Sequence, residues 1–313
     1  MKIKDLIHNK PNDIFLMVNE IEEGVTSNNS PYIKFTFTDG KDSIKGIMWD
    51  KSIADISPIS SGSLIKIRAI PKTYRSALQL TVSQCRLTTK DDTVSIEDFV
   101  KTSPVKPIDI YNELVTEVSH FKNENFKKVV VKLLEDNKDK LLYYPAAKVV
   151  HHAIQGGLLY HIYRMYKSGL ALADIYEYEI NKELFISGII LHDIGKLNEL
   201  SSNTYGVVED YSTEGKLLGH IVQGVIMLHD AARELNIAME DELVLKHMLI
   251  SHHGSEENGS PRKPMILEAQ LLNKIDEIDA IIYQFQDTLG DLEKGTFSEN
   301  KFFLKNIQIY KHY

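Results

Sequence analysis

The chain has 313 residues, 43% of them hydrophobic and 26% charged, the composition of a soluble globular protein long enough for two domains. A formal net charge of −8 argues against a protein that coats nucleic acid with its whole surface, no stretch has the length of a membrane span, and the start carries no apolar signal region. The single cysteine, Cys85, excludes an internal disulfide, fits a reducing cytoplasm and reads as a buried strand residue.

The charge is unevenly divided. Residues 1–90 hold 13 Lys and Arg against 9 Asp and Glu, a net of +4, and the remainder is −12. Residues 56–90 contain no acid but carry Lys66, Arg68, Lys72, Arg75, Arg86 and Lys90. That local surplus is the footprint of a surface for phosphates, which the whole-chain charge conceals.

Residues 13–89 read as β-structure. Ile33, Phe35 and Phe37 alternate with Tyr32, Lys34 and Thr36, so one face of a strand is apolar. Asp39-Gly40 signals a hairpin turn, after which 44–49 resumes the strand pattern. A polar stretch at 51–56 suits a helical turn, and two further strands are expected at 63–70 and 78–87, joined by a loop over 71–76. Five short strands with a small helix between the third and fourth resemble an OB-fold. Such folds stack bases on exposed aromatics in a basic groove. Tyr32, Trp49 and Tyr74 are the candidate platforms, with Lys34, Lys66, Arg68, Lys72 and Arg75 as candidate phosphate contacts. The bland readings stand beside these: Trp49 as a core residue, and each lysine as merely solvated.

Residues 91–107 read as a linker, polar at first and then marked by Pro104 and Pro107, with a short helical turn near 95–99. From 108 the period becomes helical. Ile110, Leu114, Val118 and Phe121 line one face, continued by Phe126, Val130, Leu133 and Leu134. An all-α domain is expected over 108–286, followed by an extension, 287–313, packed back on it and conceivably touching substrate. The fold class is therefore multidomain, an all-β OB-fold barrel followed by an all-α bundle.

Chemistry-bearing residues cluster in the helical part. His192-Asp193 ends the apolar segment 184–191 and precedes Gly195-Lys196. Adjacent residues on a helix point about 100° apart, so both can ligate one ion only near a helix end or kink. Alone the pair reads as a capped helix end. Its company changes that: His161 after Gly156-Gly157, His220 after Gly219, His252-His253 before Gly254, and Asp276 in a final helix. Imidazoles with carboxylates suit divalent manganese, iron, cobalt, nickel or zinc. His152 reads as a group near the substrate, Asp279 as a neighbour of the ligands or a solvated residue, and His229 and His247 as ordinary histidines. Residues 201–216 suggest a loop or hairpin framing the cleft, and 255–264 a loop beside it.

The order His, His-Asp, His, His-His, Asp closely resembles the HD-domain metal-dependent phosphohydrolases. With an OB-like N-terminus, Gly156-Gly157-Leu158-Leu159-Tyr160-His161 and His192-Asp193-Ile194-Gly195-Lys196, nearly the whole chain resembles the YhaM-type 3′-to-5′ exoribonucleases. Tyr160 departs from the glutamate expected there. The resemblance implies a cytoplasmic, manganese-favouring nuclease (magnesium being an alternative) that shortens single-stranded RNA, and by extension single-stranded DNA, from the 3′ end. It further implies two ions bridged by Asp193: His161, His192 and Asp276 around the first, His220, His252 and His253 around the second. Divalent ions would bring a water's pKa toward neutrality, with Lys196 stabilising phosphate charge. A homo-oligomer is compatible with the sequence, and no membrane partner is expected. Two other readings remain: an HD-type hydrolase of small nucleotides or cyclic dinucleotides, and a non-catalytic binder of single strands or a DNA element. No GxxxxGK[ST] loop supports a nucleotide-driven motor.

Overall fold

The computed structural model describes residues 1–74, 77–95, 98–100, 102–147, 154–203, 206, 208–290, 292–301, 304 and 306–313. The chain divides into two compact units, Met1–Thr102 and Ser103–Tyr313.

The first unit is a closed barrel. Its strands are β1 (Asn12–Val25), β2 (Pro31–Thr38), β3 (Ser43–Trp49), β4 (Leu64–Tyr74) and β5 (Ala77–Leu87). The order is β1-β2-β3-β5-β4, closed by a parallel pairing of β3 with β5, which is the OB-fold. The length of β1 makes the closure possible. Residues 12–17 pair with β4 and residues 17–25 with β2, with a bulge between Val18 and Glu20 that bends the strand from one partner to the other. The period-two pattern does what it should: Ile33, Phe35 and Phe37 are buried with Leu16, Val18, Ile65, Ile67 and Leu80, while Lys34 faces out. A short 3-10 turn, Ile53–Ile56, lies between β3 and β4.

The Asp39-Gly40 signal falls in the four-residue connection of the β2–β3 hairpin, as expected. The buried Asp39 carboxylate accepts from the backbone N–H groups of Ile3, Lys41 and Asp42, and so closes the turn itself. Burial opposes its charge, but these three donors hold its pKa below the ordinary value. The expected loop over 71–76 is instead mostly strand, because β4 runs through Pro71 to Tyr74. The β1 ladder ends at Asn12↔Ala69, and the Pro71 carbonyl points beyond it to accept from the Asn9 N–H. A strand residue's N and O point the same way, so the N–H that proline lacks falls where no ladder partner stands.

The second unit is helical. It contains α1 (Pro107–Ser119), α2 (Glu124–Asp136), α3 (Lys138–Leu141), α4 (Gly157–Ile175), α5 (Lys182–Leu191), α6 (Lys196–Glu199), α7 (Thr213–Glu234), α8 (Met239–Ser251) and α9 (Leu267–Gly290). A small hairpin, β6 (Leu200–Ser202) with β7 (Val208–Tyr211), sits between α6 and α7. Residues 184–191 are all buried, so α5 has no polar stripe and must lie at the centre. It packs against α1, α2, α4, α8 and α9. Asn181 caps its start by accepting from the Leu184 N–H. The central helix thus delivers the residues after Leu191 to the middle of the bundle. None of the described helices is long and apolar enough to cross a membrane.

Candidate metal centre and nucleic-acid surface

His192 and Asp193 lie in the turn between α5 and α6, where the chain leaves helical register and both side chains can face one point. Two glycines make room for this turn. A Cβ on Gly195 would fall 2.0 Å from the His220 carbonyl oxygen, so α7 passes directly over it. Gly219 interrupts α7 with φ 70° and ψ 167°, which frees the His220 N–H from the helix. That N–H donates to Glu199 Oε1 at 3.1 Å, and His220 Nδ1 meets the same oxygen at 3.2 Å. One carboxylate therefore fixes both the kink and the ring.

Asp193 is 2% exposed, and its two oxygens face two different sets of histidines. Oδ2 lies 3.3 Å from His192 Nε2 and 3.7 Å from His161 Nε2. Oδ1 lies 3.5 Å from His220 Nε2 and 3.7 Å from His252 Nε2. Asp276 on α9 adds an oxygen 3.3 Å from His161 Nε2. The His253 ring stands 4.2 Å from that of His252, and the ligand atoms of His220, His252 and His253 all lie within 4.8 Å of one another. The same spacing holds for His161, His192 and Asp193.

In all five rings Nδ1 meets an oxygen. His192 and His252 do so at the Ile189 and Leu249 carbonyls, 2.8 and 2.7 Å away. His253 reaches the Asn258 carbonyl at 3.0 Å, His161 the Asp279 carboxylate at 2.8 Å, and His220 Glu199. A carbonyl can only accept, so Nδ1 carries the proton in the neutral rings and Nε2 presents a lone pair inward. Nε2 of His192, His220 and His252 and Oδ1 of Asp193 are buried and make no hydrogen bond. Acceptors facing acceptors at 3.3–3.7 Å repel unless positive charge lies between them. This donor set fits divalent cations, and the carboxylate shared between its two halves fits a pair of them.

The electrostatics agree. Burial, with His192 and His253 beside it, pushes the pKa of His252 well below the ordinary value, so its lone pair is available at neutral pH. Burial also lowers the pKa of His253. Burial opposes the charge of Asp193, but the Lys196 ammonium beside it leads the groups that hold its pKa well below the ordinary value. Lys196 Nζ is 2.7 Å from Asp193 Oδ2, and Asp193 keeps it protonated against its own burial. His161 is the exception. Burial would lower it, but Asp276 and Asp279 outweigh that and raise it to about 9. A cation at Nε2 would compete with that proton.

Residues that spacing alone left unassigned complete the centre. Asp279 is buried between His161 and the Arg164 guanidinium, whose Nε lies 2.7 Å away. It follows Asp276 by three positions on α9 and so shares its face, a signal present in the sequence. Glu199 has no such signal, because only the kink at Gly219 brings His220 to it. Asn273 Nδ2 holds the His252 carbonyl at 2.8 Å. His229 is paired with Glu242, and His247 Nε2 accepts from the Met265 N–H, both away from the centre. His152 lies outside the described residues. A cavity of about 1000 Å³ opens onto Asp193, Lys196, His220, His253 and Asp276.

On the barrel the candidates separate. Tyr32 and Trp49 face each other across β2 and β3 with ring centroids 5.3 Å apart, and Trp49 is 47% exposed, so it is not core. Lys34 lies 5.7 Å from the Tyr32 ring and 3.9 Å from Glu22. Lys66 and Arg68 line a different concavity, against β1 and β5, with Lys51 and Arg86. Lys72 and Tyr74 sit at the far end of β4, and Arg75 lies outside the described residues. The acid-free stretch is not acid-free in space. Asp13 from β1 grips Arg68 through two hydrogen bonds of 2.8 and 2.7 Å, and Asp92 grips Arg86 likewise at 2.7 and 2.8 Å. Strand pairing supplies Asp13, and the turn after β5 supplies Asp92.

The HD-domain family matches residues 158–281. The 3′-5′ exoribonuclease YhaM of Geobacillus sp. (strain WCH70) is 35% identical over 299 residues, which cover 96% of this chain and 91% of that protein. Among solved structures, the second OB-fold domain of replication protein A from Methanococcus maripaludis is 19% identical, covering 30% of this chain and 98% of its own, with a TM-score of 0.24. The OB domain of Ta0387 from Thermoplasma acidophilum is 14% identical over 30% of this chain and 90% of its own, also with a TM-score of 0.24. A match of that extent along nearly the full length, HD domain included, means that the chain belongs to the YhaM family of 3′-5′ exoribonucleases.

Proposed function

We infer that this protein is a divalent-metal-dependent hydrolase that removes nucleotides from the 3′ end of single-stranded RNA. The observation that carries the reading is the buried Asp193 carboxylate, each of whose oxygens faces two imidazole nitrogens, with Nε2 of His192, His220 and His252 making no hydrogen bond. Two ions, with manganese favoured, are assigned to this donor set. His161, His192, Asp193 Oδ2 and Asp276 would hold one, and Asp193 Oδ1, His220, His252 and His253 the other. Ions bound there supply activation of water and polarisation of the phosphodiester.

The chain's own residues do the rest. Asp193 sets the spacing of the two halves, because a rigid carboxylate can face both only from the turn it occupies. Lys196 stays protonated beside it and lines the cavity, where its charge meets a phosphate oxygen and stabilises charge that develops in the transition state. Glu199, Asp279 and three backbone carbonyls hold the ring orientations, so no reorganisation is needed when substrate arrives. The exposed Trp49–Tyr32 pair suits base stacking and lies on a fold used for single strands. A cytoplasmic location belongs to the same reading, resting on the lone unpaired Cys85.

The test is direct: purified protein, manganese, and matched RNA and DNA strands labelled at the 5′ end. The reading predicts a ladder that shortens progressively from the 3′ end, and the DNA strand reports how far the ribose 2′-hydroxyl matters. A mobility shift without turnover would replace it with a binding protein. Hydrolysis confined to mononucleotides or cyclic dinucleotides would replace it with a small-nucleotide phosphohydrolase.

A further inference from the structure

The cavity beside the metal centre has two ends of different chemistry. One holds Asp193, Lys196, His220 and Asp276; toward the C-terminal part of α9 the lining turns apolar with Ile281 and Phe285, and Leu304 and Ile307 of the C-terminal segment line the same cavity. We propose that this apolar end seats the base of the strand's terminal nucleotide, with the C-terminal segment as half of the seat. The proposal rests on the exonuclease reading above and deepens it.

Helix α9 joins the two ends. Glu277, Ile281 and Phe285 recur every four residues beside Asp276, so one face of the helix runs from the metal ligand to the apolar wall. At 1.5 Å per residue, Ile281 lies about 7.5 Å and Phe285 about 13.5 Å along the axis from Asp276. A base attached next to a phosphate at the centre therefore reaches the wall without leaving the cavity. Ile281 is 41% exposed and Ile307 51% exposed. Aliphatic side chains turned toward an open cleft are a cost to the free protein, which a planar base removes by covering them.

The C-terminal segment is fastened so that it can serve as a wall. Lys311 Nζ donates to the Leu289 and Leu292 carbonyls at 2.8 and 2.7 Å, tying the segment to the end of α9. The Ile309 N–H donates to Ser298 Oγ at 2.9 Å, and Ile309 itself is buried. Bridges pair Phe297 with Tyr310 and Lys301 with Ile307, and Leu304 and Ile307 line the cavity. The occupant follows from continuity, because the apolar wall and the phosphate chemistry share one cavity. The apolar side chains hold a base by contact and stacking, with Gln284 lining the cavity beside Phe285.

The experiment crosses the base with the wall. Metal-loaded wild type and Ile281→Ser/Ile307→Ser are given two RNA strands that differ only in the presence of the 3′-terminal base. Base stacking is worth enough that its removal should raise wild-type KM about tenfold, with kcat little changed. In the double variant KM for the intact strand should rise by about the same factor, and removal of the base should then change it less than about twofold. Both side chains already face the cleft, and the single Ile307→Ser gives the same comparison if the double variant is unstable. Equal KM for the two strands in wild type, or an undiminished base effect in the variant, would overturn the proposal. A variant that changes its sedimentation state with unchanged kinetics would also overturn it, making the wall a contact between copies. No turnover of either strand by metal-loaded wild type would instead fail the exonuclease reading itself.

Discussion

Asp193 and Asp13 are both aspartates facing cations, and they show how differently the two units use charge. Asp193 is 2% exposed, stands at the end of a wholly buried helix, and faces four imidazole nitrogens. The Asp13 side chain is 43% exposed and grips Arg68, itself 54% exposed, on the outside of the barrel. Burial makes the first contact expensive to leave uncompensated, and each of those four rings is fixed by a contact at its far side. Exposure leaves the second exchangeable, with water, salt or a phosphate able to replace either partner. One unit fixes its charged groups in place, and the other leaves them open to exchange.

The largest effect expected is at Asp193. Asp193→Ala should lower kcat by about a thousandfold or more, because several kcal/mol of metal-borne stabilisation are lost, while far-ultraviolet circular dichroism and strand binding stay near wild type. Wild-type-like turnover at saturating manganese would remove the shared carboxylate from the account. Next come the residues that hold the rings. Glu199→Gln and Asp279→Asn should each cost about 10- to 100-fold in metal affinity or activity, with excess manganese rescuing part of the loss. A loss that no metal concentration touches would mean that these residues act in folding and not in ligand orientation. His252→Ala and His253→Ala should each reduce the bound metal measured by mass spectrometry, and an unchanged stoichiometry in both would favour a single ion.

The barrel should respond more gently. Trp49→Ala should weaken binding of an oligonucleotide about tenfold and leave dinucleotide cleavage unchanged. Loss of dinucleotide cleavage would place Trp49 in the reaction instead. Smallest is the effect of Asp13→Asn. By releasing the Arg68 guanidinium it should tighten strand binding and steepen the salt dependence by a slope of about 0.7, one phosphate contact. Weaker binding would mean that the pair positions the strand instead of shielding the arginine.

The sequence displayed the fold class well, because both periodicities are strong: Ile33, Phe35 and Phe37 at spacing two, and the unbroken apolar run into His192. The residues that meet at the centre were also visible, since imidazoles and carboxylates at helix ends are conspicuous. What orients them was not. Glu199 reaches His220 only through the left-handed break at Gly219, and backbone carbonyls that fix His192 and His252 leave no mark in side-chain identity. The basic surface of residues 56–90 was overread for a related reason. Strand pairing brings Asp13 beside Arg68 across 55 positions, and local counting cannot see that. The helix-spacing rule that links Asp276 to Asp279 was available, by contrast, and its consequence for His161 follows from it.

Anomalous diffraction from a manganese-loaded crystal tests the central claim most directly. The account predicts two peaks flanking the Asp193 carboxylate, one among His161, His192 and Asp276 and the other among His220, His252 and His253. A single peak, or peaks that Asp193 does not bridge, would contradict it.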